Sequence, residues 1–125
     1  MNIIFIGTAD FAVPSLQLLS ESGINVAAVY TQPSRPRGRG KKINPTPVAI
    51  ASQKLDLPVF PVANINEESV VSAIAGMEPD LLIVIAFGQK IGTSLLSVPK
   101  IGAVNLHASL LPQLRGANPI QRAIL

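Results

Sequence analysis

The chain has 125 residues, a length that fits one small domain rather than two. Hydrophobic residues make up 48% of it, enough to build a core, and charged residues only 14%, so a disordered tail is not expected. The absence of cysteine excludes disulfide scaffolds, thiolate zinc sites and cysteine nucleophiles. Aromatic residues, at 4%, are too few for a protein that stacks single-stranded bases on exposed rings. The longest apolar run, residues 81–87, is too short to cross a bilayer, so we expect a cytoplasmic protein.

The net charge of +3 is unevenly distributed. Half of the ten cations fall within eight residues, namely Arg35, Arg37, Arg39, Lys41 and Lys42. The other five cations and the seven acids leave the rest of the chain at −2. Such a cluster, set among prolines and glycines, suits contact with phosphates without readout of a base sequence. The alternative is a solvated basic loop, but the concentration of charge in one segment favours contact with RNA.

Short β-branched runs alternate with helical patterns, which predicts an α/β fold with a mostly parallel sheet and flanking helices. Strands are expected at residues 2–6, 25–31, 59–60, 80–86 and 101–106. The strand at 80–86 is the most hydrophobic and is expected at the centre of the sheet. Residues 32–45 contain the basic cluster together with proline and glycine, so we expect an exposed loop there.

Capping residues indicate where the helices begin. Helices are expected at residues 12–22, at 47–55 after Thr46, in the segment after Asn66, and from Asn118 and Pro119 through Ile124. The last of these gives barely two turns before the sequence stops, and a helix that short is marginal alone. We therefore expect the chain to be the N-terminal part of a longer protein, with its sheet incomplete.

The mostly apolar strand at 101–106 is followed and interrupted by polar side chains near its carboxyl end. Asn105 and His107 are two residues apart, so on an extended backbone they share one face. They also lie at the carboxyl end of a strand, where open α/β sheets bind their ligands. An amide beside an imidazole offers two donors to an oxyanion developing on a carbonyl carbon. In the alternative, Asn105 caps the strand end and His107 is a structural, partly buried histidine.

The residues from 105 onward closely resemble a family signature. The run N-L-H-A-S-L-L-P-x-x-R-G-x-x-P is similar to that of the folate-dependent formyltransferases. The first strand and turn, I-F-I-G-T-A-D-F-A-V-P-S-L, and the loop R-G-R-G-K-K resemble the members that formylate methionyl-tRNA. The resemblance runs the length of the chain and implies that residues 1–125 form a Rossmann-like N-terminal catalytic domain that is incomplete. It also implies a C-terminal RNA-binding domain, which these residues do not contain.

The resemblance further implies a reaction and the residues that carry it. The donor would be 10-formyltetrahydrofolate, a co-substrate, and the acceptor the α-amino group of methionine on initiator tRNA, for translation initiation. Asn105 and His107 match the catalytic pair of the family, and its third catalytic residue, an aspartate further downstream, has no counterpart because no acid follows His107. The folate-binding residues would be Ser109, Leu110, Leu111 and Pro112 in the signature, and Phe87, Gly88, Gln89, Lys90 and Ile91 after the central strand. The cluster formed by Arg35, Arg37, Arg39, Lys41 and Lys42 would enter the major groove of the tRNA acceptor arm.

Other functions are less consistent with the sequence. The turn after Gly7 lacks the G-x-G-x-x-G spacing of a dinucleotide site, and no His, Asp and Glu cluster has ligand spacing, so neither NAD nor a metal is predicted. Two alternatives stay open. One is a formyltransferase with a small amine acceptor, an amino-sugar nucleotide or glycinamide ribonucleotide. The other is an inactive folate- or RNA-binding fragment. No membrane or protein partner is implied.

Overall fold

The structure, a computed structural model, describes residues 1–37, 42–108 and 120–124. Its elements in chain order are β1 (Asn2–Gly7), α1 (Val13–Glu21), β2 (Asn25–Thr31), β3 (Arg35–Arg37), β4 (Lys42–Asn44), α2 (Pro47–Lys54), β5 (Val59–Pro61), α3 (Glu68–Gly76), β6 (Leu81–Ile85), α4 (Thr93–Leu96), β7 (Gly102–Ala108) and β8 (Ile120–Ile124). A 3₁₀ turn, Asp10–Ala12, precedes α1.

Six strands form one sheet in the order β5-β2-β1-β6-β7-β8. The first five run parallel, and β8 pairs antiparallel with β7. The chain builds outward from β1 through β2 to β5 and then returns to the other side of β1 for β6 and β7. This doubly wound order confirms the predicted α/β fold with a mostly parallel sheet, and it creates a topological switch point between β1 and β6.

The core lies on both faces of the sheet because β1 is apolar on both sides. Ile4 and Ile6 face a cluster that includes Ile74 of α3 and Leu95 of α4. Phe5, between them, faces the opposite cluster with α1 and α2. All three β1 side chains are fully buried, as expected of a central parallel strand.

The helix that follows Thr46 confirms one prediction, and the next helix corrects another. Thr46 caps α2, its Oγ1 accepting the Ala49 backbone N–H at 3.1 Å. The cap predicted at Asn66 is wrong, since α3 begins at Glu68 with Glu67 as its N-cap. The Asn66 side chain instead donates to Lys90 O and accepts from Gly92 N, and these bonds occupy the groups that a cap would use.

Two terminal or loop predictions also need correction. Residues 32–45 contain a two-stranded antiparallel hairpin, β3 and β4, where only an exposed loop was expected. The helix predicted from Asn118 through Ile124 is wrong over Ile120–Ile124, which form β8 with pairs from Ala108↔Ile120 to Val104↔Ile124. A helix of two turns is marginal, whereas the open edge of β7 supplies backbone partners and isoleucine favours a strand.

Candidate active site

A cavity opens at the switch point, at the carboxyl ends of β1, β2 and β6. Its volume is about 460 Å³, within the range of small-molecule sites. It is lined by Thr8 and Ala9 after β1, Gln32 and Pro33 after β2, Asn44 and Thr46 before α2, and Ala86, Phe87 and Gly88 after β6. Open α/β sheets bind ligands in this position, so the topology and the cavity indicate the same site.

The turn that follows β6 is held in an unusual backbone conformation. Ala86 has φ +49° and Gly88 has φ +94°, so two left-handed residues flank Phe87. Such a conformation is uncommon for alanine and persists where surrounding contacts require it. Here the Ala86 carbonyl accepts hydrogen bonds from the N–H groups of Thr8, at 3.1 Å, and Ala9, at 3.2 Å. The two loops at the switch point are therefore joined directly.

The 87–91 segment, predicted to bind folate, divides its side chains between the core and the surface. Phe87 and Ile91 are buried in the core cluster beside α3 and α4. Gly88 and Lys90 are exposed, and Gln89 is half-buried. The segment therefore lies against the sheet face that carries Ile4 and Ile6, with Gly88 and Lys90 facing solvent.

Side-chain amides hold the 87–91 segment to its neighbours. Gln89 Nε2 donates to Gln32 Oε1 at 2.8 Å, and Gln89 Oε1 accepts from the Ile65 N–H at 2.8 Å. Gln32 Nε2 in turn donates to Phe87 O at 3.2 Å, and Thr8 Oγ1 donates to the same carbonyl at 3.0 Å. Within the part of the chain that the structure describes, every buried side-chain nitrogen or oxygen has a hydrogen-bond partner.

The predicted catalytic pair lies on the next strand. Asn105 of β7 pairs in register with Val84 of β6, and it is half-buried. His107 is two positions further along β7, closer to the carboxyl edge of the sheet. Asn105 shares its face of the sheet with Ala103 and Val84, which belong to the cluster containing Phe87. Asn105 and the 87–91 segment thus share one face, and His107 lies toward the carboxyl edge at which that segment begins.

The rest of the predicted folate site, Ser109, Leu110, Leu111 and Pro112, lies outside the described residues. The predicted RNA-binding cations fall partly inside them. Arg35 and Arg37 belong to β3 and Lys42 to β4, whereas Arg39 and Lys41 lie outside the described residues. The structure thus brings three of the five cations into one two-stranded hairpin.

The segment that connects β2 to α2, called here the basic hairpin (residues 32–45), has a fixed base. Thr31 ends β2 and Thr46 caps α2, and their buried hydroxyl oxygens lie 2.7 Å apart in a hydrogen bond. Gln32 adds a bond from its backbone N–H to Thr8 Oγ1 at 3.2 Å. The two ends of the basic hairpin are therefore anchored at the rim of the cavity.

Sequence reasoning missed three residues that shape this site: Thr8, Gln32 and Asn66. Thr8 and Gln32 each follow directly after a buried strand, a position that could have marked them as candidates. Asn66 gave no such signal, because its partners Lys90 and Gly92 are more than twenty residues away.

Within residues 1–37, 42–108 and 120–124, no three His, Asp or Glu side chains come together as a metal site would require. No helix in those ranges combines the length and apolarity needed to span a membrane.

Comparison with known proteins identifies the family. The model of the formyl transferase family matches residues 1–125. The chain belongs to the formyl transferase family. Among its relatives, the methionyl-tRNA formyltransferase of Halothermothrix orenii is 51% identical over 126 residues, covering 100% of this chain and 40% of that relative. The methionyl-tRNA formyltransferase of Methylococcus capsulatus is also 51% identical, over 100% of this chain and 41% of its own length.

Solved structures support the same fold. A phosphoribosylglycinamide formyltransferase from Anaplasma phagocytophilum superposes with a TM-score of 0.65 at 14% identity, covering 100% of this chain and 64% of that one. The corresponding enzyme from Bacillus halodurans gives a TM-score of 0.60 at 16% identity, with 100% and 79% covered. At such identities the likeness shows a shared Rossmann-like fold. This formyl transferase family chain spans about two fifths of the length of the curated relatives named above.

Proposed function

We propose that this chain carries the catalytic part of a methionyl-tRNA formyltransferase. The reaction would transfer a formyl group from 10-formyltetrahydrofolate to the α-amino group of methionine on initiator methionyl-tRNA, in the cytoplasm, for translation initiation. The observation that carries the proposal is the 51% identity, along the whole chain, to two relatives with that name. Because the solved structures are only 14% and 16% identical, they support the fold and do not favour their own acceptor.

Formyl transfer requires two contributions from the enzyme, which follow from the bonds that form and break. The amine nitrogen attacks the formyl carbon, and a C–N bond forms while the carbonyl oxygen takes up negative charge. The tetrahedral intermediate then collapses, breaking the bond between the formyl carbon and N10 of the folate. The amine loses a proton overall and N10 gains one. The enzyme must therefore stabilise an oxyanion and move a proton.

Asn105 and His107 suit these two roles. The Asn105 amide can donate a hydrogen bond to the oxyanion, and the His107 imidazole can pass a proton from the amine toward N10. Two points support this assignment: both residues lie toward the carboxyl end of β7, and their spacing along a strand predicts one face for both. The 87–91 segment, on the adjacent turn, would bind the pterin together with Ser109, Leu110, Leu111 and Pro112. None of these roles requires a metal.

The basic hairpin would bind the acceptor. Arg35, Arg37 and Lys42 lie in its two strands, and Arg39 and Lys41 belong to the same segment. The cations of the basic hairpin would neutralise phosphates of the tRNA acceptor arm. We assign residues 1–125 to the N-terminal catalytic domain, and we assign both the downstream aspartate and the RNA-binding domain to the length that the relatives have beyond the matched part.

The test uses the complete protein that contains this chain, with the 125-residue chain assayed beside it. Formyl transfer from 10-formyltetrahydrofolate is measured with methionyl-tRNA, with glycinamide ribonucleotide and with an amino-sugar nucleotide as acceptors. We expect turnover with methionyl-tRNA at least a hundredfold above that with either small amine. Turnover with only a small amine would show that this amine, and not methionyl-tRNA, is the acceptor. Folate binding without transfer to any acceptor would indicate a binding module instead.

A further inference from the structure

The orientation of the Gln89 amide follows from its backbone partners. Its Oε1 accepts from the Ile65 N–H, and its Nε2 faces the carbonyl oxygens of Val62 at 3.2 Å and Ala63 at 3.1 Å. Because a backbone N–H only donates and a carbonyl only accepts, the two ends of the amide cannot be exchanged. One Nε2 hydrogen remains for Gln32 Oε1 at 2.8 Å. Both hydrogens are then used, so Gln89 has no donor left for a ligand.

The orientation of Gln32 follows from that of Gln89. Since Gln32 Oε1 accepts from Gln89, its Nε2 is the donor that contacts Phe87 O at 3.2 Å. Its backbone N–H is bonded to Thr8 Oγ1 as well. The Gln32 side chain therefore contacts the 87–91 segment at two points, through the Phe87 carbonyl and the Gln89 amide.

Gly88 permits this close approach. A Cβ added at Gly88 would lie 3.0 Å from Gln32 Nε2, which is closer than an ordinary van der Waals contact of a Cβ atom. The φ of +94° also disfavours any side chain at this position. The backbone of the 87–91 segment thus rests directly on the Gln32 amide. Gln32 is also the first residue of the basic hairpin. One side chain therefore joins the element proposed to bind RNA to the segment proposed to bind the donor.

We propose that Gln32 and Gln89 are positioning residues that link binding of the formyl donor to binding of the RNA acceptor. In this proposal both amides act through the backbone of the 87–91 segment, and the proposal rests on the function proposed above. RNA bound to the basic hairpin restrains Gln32, and the Gln32–Gln89 pair passes that restraint to the 87–91 segment. Such coupling is reciprocal, so the donor must affect RNA binding by the same factor.

The experiment measures this factor in the complete protein. The dissociation constant of 5-formyltetrahydrofolate, used as a stable analogue of the donor, is determined with and without saturating uncharged initiator tRNA. The ratio of the two constants is the coupling factor. The variants are Gln32→Leu and Gln89→Leu, which keep the side-chain size and remove the amide. Gln53→Leu is the matched control, because Gln53 is exposed on α2 and distant in sequence from this network.

We expect a coupling factor of about fivefold or more in the unmodified protein and in Gln53→Leu. Gln32→Leu and Gln89→Leu should both reduce the factor to within about twofold of one, and Gln89→Leu should also weaken folate binding about tenfold. Hydrogen exchange of the 87–91 backbone amides should accelerate in Gln32→Leu and stay unchanged in Gln53→Leu. That readout depends on no ligand.

A factor of one in the unmodified protein, or an unchanged factor in Gln32→Leu, would overturn the coupling. Gln32→Leu decides the matter even if Gln89→Leu fails to fold, because it leaves the Ile65–Gln89 bond intact. Failure of the unmodified protein to bind folate would overturn the proposed function and this inference with it. Folate binding without coupling would overturn the inference alone.

Discussion

The two ends of the parallel sheet carry similar polar side chains and use them differently. At the amino end, Asn25 Nδ2 donates to Asn2 Oδ1 at 2.9 Å, and the Asn2 N–H donates to Asp80 Oδ2 at 2.7 Å. These bonds join β2 to β1 and β1 to β6, which are already neighbours in the sheet. At the carboxyl end, Gln32 and Gln89 join segments that no strand pairing connects.

The difference explains where chemistry can be placed. Bonds between adjacent strands reinforce an order that the sheet already has. Bonds between loops fix the relative positions of segments that no strand pairing connects, and a cavity of about 460 Å³ lies among those loops. The amino end therefore serves stability, and the carboxyl end holds a preformed site.

The largest effect is expected at the catalytic pair. Asn105→Ala or His107→Ala should each lower kcat for formyl transfer by about a hundredfold or more, since each removes a side chain that would stabilise the transition state. Asn25→Ala is the control, because it removes a side-chain amide at the opposite end of the sheet and only an exposed hydrogen bond. Its kcat should stay within about twofold of the unmodified protein. A loss confined to KM in the His107 variant would contradict a catalytic role.

A stability difference is expected between two glycines. A Cβ at Gly7, at the carboxyl end of β1, would lie 2.7 Å from Ile85 O and 3.0 Å from Phe5 Cε1. Gly7→Ala should therefore lower the free energy of unfolding by about 1–3 kcal/mol through overpacking. Gly76→Ala is the control, since nothing lies within 4 Å of the added Cβ at the end of α3. There alanine should raise the free energy of unfolding by up to about 1 kcal/mol. Urea unfolding measures both, and equal destabilisation would show that space at Gly7 is not limiting.

The basic hairpin should affect RNA binding and leave chemistry intact. Alanine at Arg37, Arg39, Lys41 and Lys42 together should weaken tRNA binding by about tenfold or more at low salt. The slope of log K against log salt should flatten by about 0.7–0.9 for each phosphate that the variant no longer neutralises. Lys100→Ala, an exposed cation at the amino end of the sheet, serves as the control. If the slope changed equally in both proteins, the hairpin would have no special role in binding.

Local pattern was enough to predict most of the sheet. Two elements are determined by residues that are close together in the sequence: β6 by its apolar run, and the start of α2 by Thr46 and Pro47. Both predictions are confirmed. The spacing of Asn105 and His107 could be interpreted in the same way, because alternation along a strand fixes a face without any knowledge of its neighbours. Their catalytic role stays a prediction.

Features that depend on distant partners could not be predicted. Asn66 has the residue type of a helix cap, yet its amide is used by Lys90 and Gly92. The partners of Gln89 lie up to 57 residues away, so nothing near Gln89 shows that its amide is engaged within the protein. The short segment Ile120–Ile124 fits a helix or a strand locally, and the open edge of β7 determines the outcome.

The smallest effect concerns packing at the carboxyl end of β2. Burial raises the pKa of the Tyr30 phenol above its ordinary value of 10.0. Above about pH 10 the unfolded chain therefore loses this proton before the folded chain does, and the free energy of unfolding falls as pH rises. Tyr30→Phe keeps a ring beside Phe60, where the centroids lie 5.4 Å apart, and removes the titration. Urea unfolding measures the free energy of unfolding of both proteins at a series of pH values. The two curves should run parallel below about pH 9 and diverge above about pH 10. Above that pH the free energy of unfolding of the Tyr30→Phe variant should fall less. Parallel curves across the whole range would show that the phenol reaches solvent freely, and that the carboxyl end of β2 is less tightly packed than its hydrogen bonds indicate.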